Sequence, residues 1–404
     1  MPETLTPCDA PSASAAPPHE RRRSLAANAW LALLSTLLTL ALVEVGLRLF
    51  HPLPDPYQRF KSSADPAARD GAYVPSAFAP HFAMKVRAEP GLPGIDGRPR
   101  TFSVNNLGYR GDSLAMPKPA GEVRVFVVGG STTECLYLDD SEALSTVLQR
   151  RLRALLPGVN VRVYGAGHSG DRSFDHVAMV AHRIAHLQPD VIVVFAGIND
   201  LLAARRQRDY LLMGSLGQRI PMRARDLAAM LATEFQVPRL VHRALTGYDP
   251  QIVTVTSDYR LNAERYRRIG LTPRPPRTDV RPYAENLQTL AGIARAHGAR
   301  MVLMTQQTTW NSPDPRAARW HWMAADTVRH HEPALDSAMD LYNRAMIEVG
   351  RGQAVPVFDL THAIPKTMDY FYDDVHFNVR GADTAAALLA RFMVERGVVA
   401  ATGR

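Results

Sequence analysis

From Glu122 onward, short runs of β-formers alternate with longer stretches of helical periodicity, and this alternation limits the possible fold more than any other feature of the chain. The runs "EVRVFVVGG" (122–130), "VNVRVYGAG" (159–167), "PDVIVVFAGIND" (189–200), "ARMVLMTQQ" (299–307) and "AVPVFDL" (354–360) read as five strands. Amphipathic segments at 141–156, 173–187, 283–297, about 335–350 and about 380–395 read as helices, the first begun by a Ser141 cap. Strands and helices at this spacing predict a parallel sheet with crossover helices. The stretch 201–282 breaks the pattern with basic, proline-rich and short apolar pieces, and reads as an insertion, a candidate lid.

A second constraint lies at the amino end. Ala26–Val43 is 18 residues without a charge, about 27 Å of helix, close to the thickness of a bilayer core. No A-x-A site follows, so the expected element is an uncleaved signal anchor over 24–50, preceded by a disordered cytoplasmic tail over 1–23. Arg21, Arg22 and Arg23 favour a cytoplasmic N-terminus, which puts the rest of the chain outside the cytoplasm at the inner membrane, single-pass. Residues 51–120, rich in Pro and Gly, read as a stalk leading to a catalytic domain over 121–396.

The net charge of +8 does not imply nucleic acid. The basic residues are scattered arginines interleaved with acids, with lysine only at 61, 85, 118 and 366. Cys8 and Cys135, one on each side of the expected membrane, form no disulfide framework, and Cys135 reads as a small buried residue. His321 and the His330-His331 pair lack companion carboxylates at ligand spacing, so neither a metal nor a cofactor is expected.

In open parallel sheets, ligands bind beyond the carboxyl ends of the strands. Four groups gather at such ends: Gly129-Gly130-Ser131, Gly170 in "GAGHSGDRS", Asn199-Asp200, and Asp373-Asp374-Val375-His376. Each has a plain reading. Ser131 caps a helix, Gly170 is a loop glycine, Asn199 ends a strand in a turn, and His376 is a surface histidine. Together they suit nucleophilic catalysis. A serine hydroxyl needs a base, and His376 serves near neutral pH. A carboxylate must orient that ring; Asp373 is preferred, with Asp374 its rival. The backbone N–H groups of Ser131 and Gly170 and the amide of Asn199 would meet an oxyanion. A Cβ at Gly170 would crowd the substrate. His168 is a possible substrate contact, and Trp310 a core residue or a sugar platform.

These four blocks, in this order, resemble the SGNH (GDSL-type) hydrolase superfamily over about residues 100–395. The first block departs from the usual Gly-Asp-Ser, with Gly130 in the aspartate's place, and "NNLGYRGD" (105–112) resembles the lead-in of membrane-anchored bacterial members. The resemblance implies a flavodoxin-like three-layer α/β fold with a mainly parallel five-stranded sheet behind one transmembrane helix. It also implies a serine esterase or O-acyltransferase acting through an acyl-serine on acyl, first of all acetyl, esters of an envelope carbohydrate. The alternatives are a lipase or thioesterase of the same fold, a silent polysaccharide-binding module of an assembly complex, and a structural anchor protein. The two glycines and the hydroxyl at the end of the first strand are the features to explain.

Overall fold

A computed structural model describes residues 18–53, 78, 80–205, 231, 235–246, 252–254, 259–323 and 328–399. They fall into two compact units. The smaller contains the helix α1 (Pro18–Phe50) and a helix from the insertion, α6 (Gln236–Thr246). Within α1, Ala27–Phe50 has a mean hydropathy of 2.0 and is long and apolar enough to cross a membrane. The helix begins at Pro18, so part of the segment expected to be a disordered tail is helical. Glu44 of α1 binds the start of α6: its carboxylate accepts the backbone N–H groups of Gln236 (2.9 Å) and Val237 (2.8 Å). These are donors that a helix start leaves unpaired, and an anion there is favoured by the helix dipole. Arg239 donates to the carbonyl of Leu53.

The larger unit is the α/β domain. Its sheet joins β3 (Glu122–Gly129), β4 (Asn160–Gly167), β5 (Val191–Phe195), β7 (Arg300–Met304) and β8 (Val357–Phe358) in the order β4-β3-β5-β7-β8, all parallel. This is the flavodoxin-like order, in which the chain goes one way from β3 and then returns to its other side. Successive side chains of β3 enter opposite cores, Val125 and Val127 one, Phe126 and Val128 the other. The first core is closed by α3 (Leu144–Leu155) and α11 (Val379–Glu395). The second is closed by α4 (Ser173–His182), α8 (Arg281–Ala296) and α9 (Glu332–Gly352). Each large apolar side chain buried this way contributes roughly 1.5–3 kcal/mol.

Three further expectations differ from the structure. The helix expected from Ser141 starts at Leu144 with Ala143 as its cap residue, and the Ser141 hydroxyl bonds Asp139 instead. The stretch read as a stalk is in part built into the domain. It supplies β1 (Ala83–Arg87) and β2 (Arg100–Ser103), and Arg110 pairs with Gly165 at the edge of β4. The described parts of the insertion go to different places. Its strand β6 (Ile252–Thr254) joins β1 and β2 in a small sheet, α6 joins α1, and α7 (Tyr259–Arg268) stays with the domain. Much of the proposed lid lies outside the described residues.

Candidate active site

Strand register brings the blocks together. Gly129 pairs with Gly167 on one side and with Phe195 on the other, and Phe195 pairs with Met304. The carboxyl ends of β4, β3 and β5 are therefore level, and the residues that follow them share one rim. Ser131 opens the four-residue helix α2 (Ser131–Glu134) directly beyond β3.

The two glycines are a packing requirement. A Cβ on Gly129 would lie 2.7 Å from the carbonyl of Phe195 and collide with Thr133, and one on Gly130 would lie 2.6 Å from Nδ2 of Asn199. A backbone without side chains here lets α2 fold back against β3 beside the end of β5 and the Asn199 amide. The turn after α2 is held by Arg110, which is buried. Its guanidinium donates to the carbonyls of Glu134 (2.9 Å), Cys135 (2.9 Å) and Leu138 (3.1 Å) and pairs with Asp140. Glu134, also buried, accepts the backbone N–H of Ser169 at 2.6 Å and so ties α2 to the loop that carries Gly170. Cys135 is a buried free thiol.

Ser131 and His376, 245 positions apart, meet with Oγ and Nε2 at 2.7 Å. The other ring nitrogen, Nδ1, lies 2.7 Å from Oδ2 and 2.9 Å from Oδ1 of Asp373. Oδ1 of Asp373 also accepts the backbone N–H groups of His376 (2.8 Å) and Val375 (3.0 Å), a tight turn that sets the spacing of three. Tyr372 stacks flat on the His376 ring, 7° from parallel. Asp374 faces away. It accepts Nε1–H of Trp310 at 2.7 Å and the backbone N–H of Trp322 at 2.7 Å.

The two aspartates are both fully buried, and their acidities diverge. Burial pushes the Asp373 carboxyl up, but the charge and N–H of His376 and the turn's backbone N–H groups outweigh it and hold it below the usual carboxylate range. Asp374 goes the other way: burial raises it, and so does the charge of Asp373, against the pull of His321. For His376 burial opposes the charged form, yet Asp373, Asp374 and Glu134 together raise its pKa above the ordinary value.

Asn199 donates from Nδ2 to the carbonyl of Asp171 at 2.8 Å, which spends one of its two amide hydrogens. Gly170 has φ +89°, a backbone conformation that side chains disfavour, and the space where a Cβ would stand is open. The backbone angle by itself calls for glycine there. His168 pairs with Asp171 (3.2 Å) and lies against Phe78. Trp310 is fully buried, which makes it a core residue. Among the described residues no group of three His, Cys, Asp or Glu side chains is arranged to hold a metal ion.

Trp322, Arg110 and Glu134 were not singled out in the sequence. Arg110 lies inside the "NNLGYRGD" lead-in, the one signal that could have drawn attention to it. Trp322 and Glu134 carry no motif.

The family model of the GDSL-like lipase/acylhydrolase family matches residues 127–384, which include Ser131, Gly170, Asn199, Asp373 and His376. No curated protein matches the chain. Among solved structures, an acetylxylan esterase from Geobacillus stearothermophilus is similar at 17% identity, covering 70% of this chain and 97% of that one, with a TM-score of 0.39. A lipase/acylhydrolase from Enterococcus faecalis is similar at 17% identity, covering 68% of this chain and 96% of that one, with a TM-score of 0.38. The family match spans most of the chain and contains every block that meets at the rim, and the chain belongs to the GDSL-like lipase/acylhydrolase family.

Proposed function

We propose that the protein is a membrane-anchored serine esterase in which Ser131 is the nucleophile, His376 the general base and Asp373 the residue that orients it. The observation that carries this reading is the continuous chain of contacts from Ser131 Oγ through both nitrogens of His376 to Asp373. Asp373 fixes the tautomer with the proton on Nδ1, leaving Nε2 free to take the serine proton. Ser131 Oγ attacks the ester carbonyl, and the negative charge moves to the carbonyl oxygen. The backbone N–H groups of Ser131 and Gly170 and the second amide hydrogen of Asn199 receive it, each donor worth about 3–4 kcal/mol in the transition state. His376 returns the proton to the leaving alcohol, and the acyl group stays on Ser131. Water, deprotonated by the same His376, then releases the acid.

The substrate we infer is an acyl, first of all acetyl, ester of an envelope carbohydrate, with the domain held outside the cytoplasm by α1; transfer of the acyl group to a sugar hydroxyl is the variant of the same chemistry. The support is the resemblance to anchored members and the apolar span Ala27–Phe50. A fluorophosphonate should label Ser131 and leave Ser131→Ala unlabelled. Residues 51–404 incubated with acetyl and longer acyl esters should carry the acyl group on Ser131, seen by mass spectrometry, with acetyl preferred. An unlabelled, folded wild-type protein overturns the assignment. A periplasm-dependent reporter fused to the C-terminus tests the topology, and its silence reverses it.

A further inference from the structure

The mechanism leaves Asp374 unused, although it is as deeply buried as its neighbour. Its three hydrogen-bond donors come from one stretch of chain. Oδ2 takes Nε1–H of Trp310 (2.7 Å), and Oδ1 takes the backbone N–H groups of Trp322 (2.7 Å) and Met323 (3.2 Å). The same stretch reaches the catalytic turn at three more points. Thr309 donates its N–H to the carbonyl of Asp374 (2.7 Å) and its hydroxyl to the carbonyl of Asp373 (2.9 Å). Nε1–H of Trp322 donates to Oδ2 of Asp373 at 3.1 Å, the oxygen that also lies 2.7 Å from Nδ1 of His376.

His321 completes the network. Its Nδ1 is 2.8 Å from a carboxylate oxygen of Glu332 and its Nε2 is 2.9 Å from the Thr309 hydroxyl. That hydroxyl spends its proton on Asp373, so it can only accept from Nε2; the carboxylate can only accept from Nδ1. In this arrangement both ring nitrogens are donors; burial opposes the charged ring, but the bond to Glu332 and the charges of Asp374, Glu332 and Asp373 raise its pKa above the ordinary histidine value. In its charged form His321 balances Glu332 and offsets the burial of Asp374.

We propose that Trp322 is a positioning residue whose indole N–H fixes the carboxylate of Asp373, and that Asp374 is the clamp that holds Trp322 in place. The proposal rests on the reading of Ser131, His376 and Asp373 as the reacting set. The turn's two backbone N–H groups hold Oδ1 of Asp373, so within the turn only His376 bonds Oδ2. The indole adds to Oδ2 a donor from outside the turn and fixes that oxygen as well. It also draws negative charge away from the oxygen facing His376. The charged groups around the His376 ring are Asp373 and Asp374 from its own turn and Glu134 from α2, with the Tyr372 ring stacked on its face; the Trp322 indole N–H bonds Asp373, and the Trp322 backbone N–H bonds Asp374.

The test is Trp322→Phe in the full-length chain, which keeps a ring of similar shape and deletes the donor, read by the pH profile of kcat/KM on a soluble ester. The plateau should fall roughly 10-fold, the effect of losing a hydrogen bond to a charged group. The acid limb should move to higher pH, because the Asp373 charge, no longer shared with the indole, holds the His376 proton more firmly. In an Asp373→Asn background the same change should cost almost nothing, since the carboxylate it serves is gone. Asp374→Asn should reproduce the Trp322→Phe profile, and the double variant should be no worse than either. A wild-type plateau and limb in Trp322→Phe overturn the proposal, as does an equal loss with and without Asp373. If Asp373→Asn alone keeps wild-type activity, the reacting set was misread and the proposal falls with it. Trp322→Phe keeps the buried carboxylates, so the test stands even if Asp374→Asn fails to fold.

Discussion

His376–Asp373 and His168–Asp171 are histidine–aspartate pairs on the rim of this sheet, each with its partners three positions apart. His376 and Asp373 touch at 2.7 Å; His168 and Asp171 touch at 3.2 Å. In sequence they look alike, apart from order. In the structure they differ in what surrounds the carboxylate. Asp373 accepts two backbone N–H groups and the Trp322 indole besides its histidine, and its carboxyl is held below the usual range. For Asp171 burial dominates, the His168 contact offsets it only in part, and nearby Asp175 and Glu134 add to the rise; its pKa is pushed up to about 6. A histidine–carboxylate pair thus becomes a working base only where other donors keep the acid ionised and a hydroxyl waits at the far nitrogen. Only the first pair has Ser131.

The sharpest break of this comparison is removal of the reacting groups. Ser131→Ala or His376→Ala should lower kcat by about four to six orders of magnitude, whereas His168→Ala should change it less than about threefold. A comparable loss in His168→Ala would make the second pair the base. Next in size is Asp373→Asn, which should cost about 10⁴ in kcat through the wrong tautomer, far more than Asp374→Asn. The reverse order would assign the orienting role to Asp374. Asn199→Ala should cost about 10²–10³, measured with a small ester so that binding contributes little.

A smaller effect comes from pH. Activity needs neutral His376, and its pKa is raised, so the acid limb of kcat/KM should lie above the ordinary histidine value of about 6.5. A limb at or below that value would mean that Asp373 is not ionised beside it. The smallest effect should be on stability. Asp171 binds its proton more tightly folded than unfolded, so its contribution is fully present below its unfolded pKa and is lost as pH rises through about 6. Asp171→Asn should therefore raise Tm at pH 8, with the gain shrinking toward zero below pH 4. A constant gain across that range would deny the titration.

The residues that meet at the rim were legible because the chemistry proposed for them restricts residue type: a hydroxyl, an imidazole, an amide and a carboxylate at the ends of predicted strands. The five strands were legible because buried parallel strands are nearly continuous apolar runs, as in Val125–Val128 and Val191–Phe195. What could not be read is what holds those groups still. Arg110 reaches carbonyls 24, 25 and 28 positions away, and Trp322 reaches an aspartate 51 positions away, by contacts that impose no local pattern. The Ser141 cap failed for a related reason: the hydroxyl had a nearer acceptor in Asp139, and the helix began three residues later. For Gly170 the structure adds a reason for glycine that the sequence does not display, a backbone angle in the left-handed region.

The bond between Glu44 and the start of α6 has a consequence in time. Its partners are 192 positions apart. A ribosome adding roughly 5–20 residues per second needs about 10–40 s to cover that distance. The helix α1 therefore emerges, and for a chain anchored as proposed enters the bilayer, long before α6 exists to meet it. Through that interval the Glu44 carboxylate has Arg48, one helical turn away, as its neighbour. The formation of α1 and the docking of α6 are two successive events, and a chain stopped between them has α1 without its smaller unit complete.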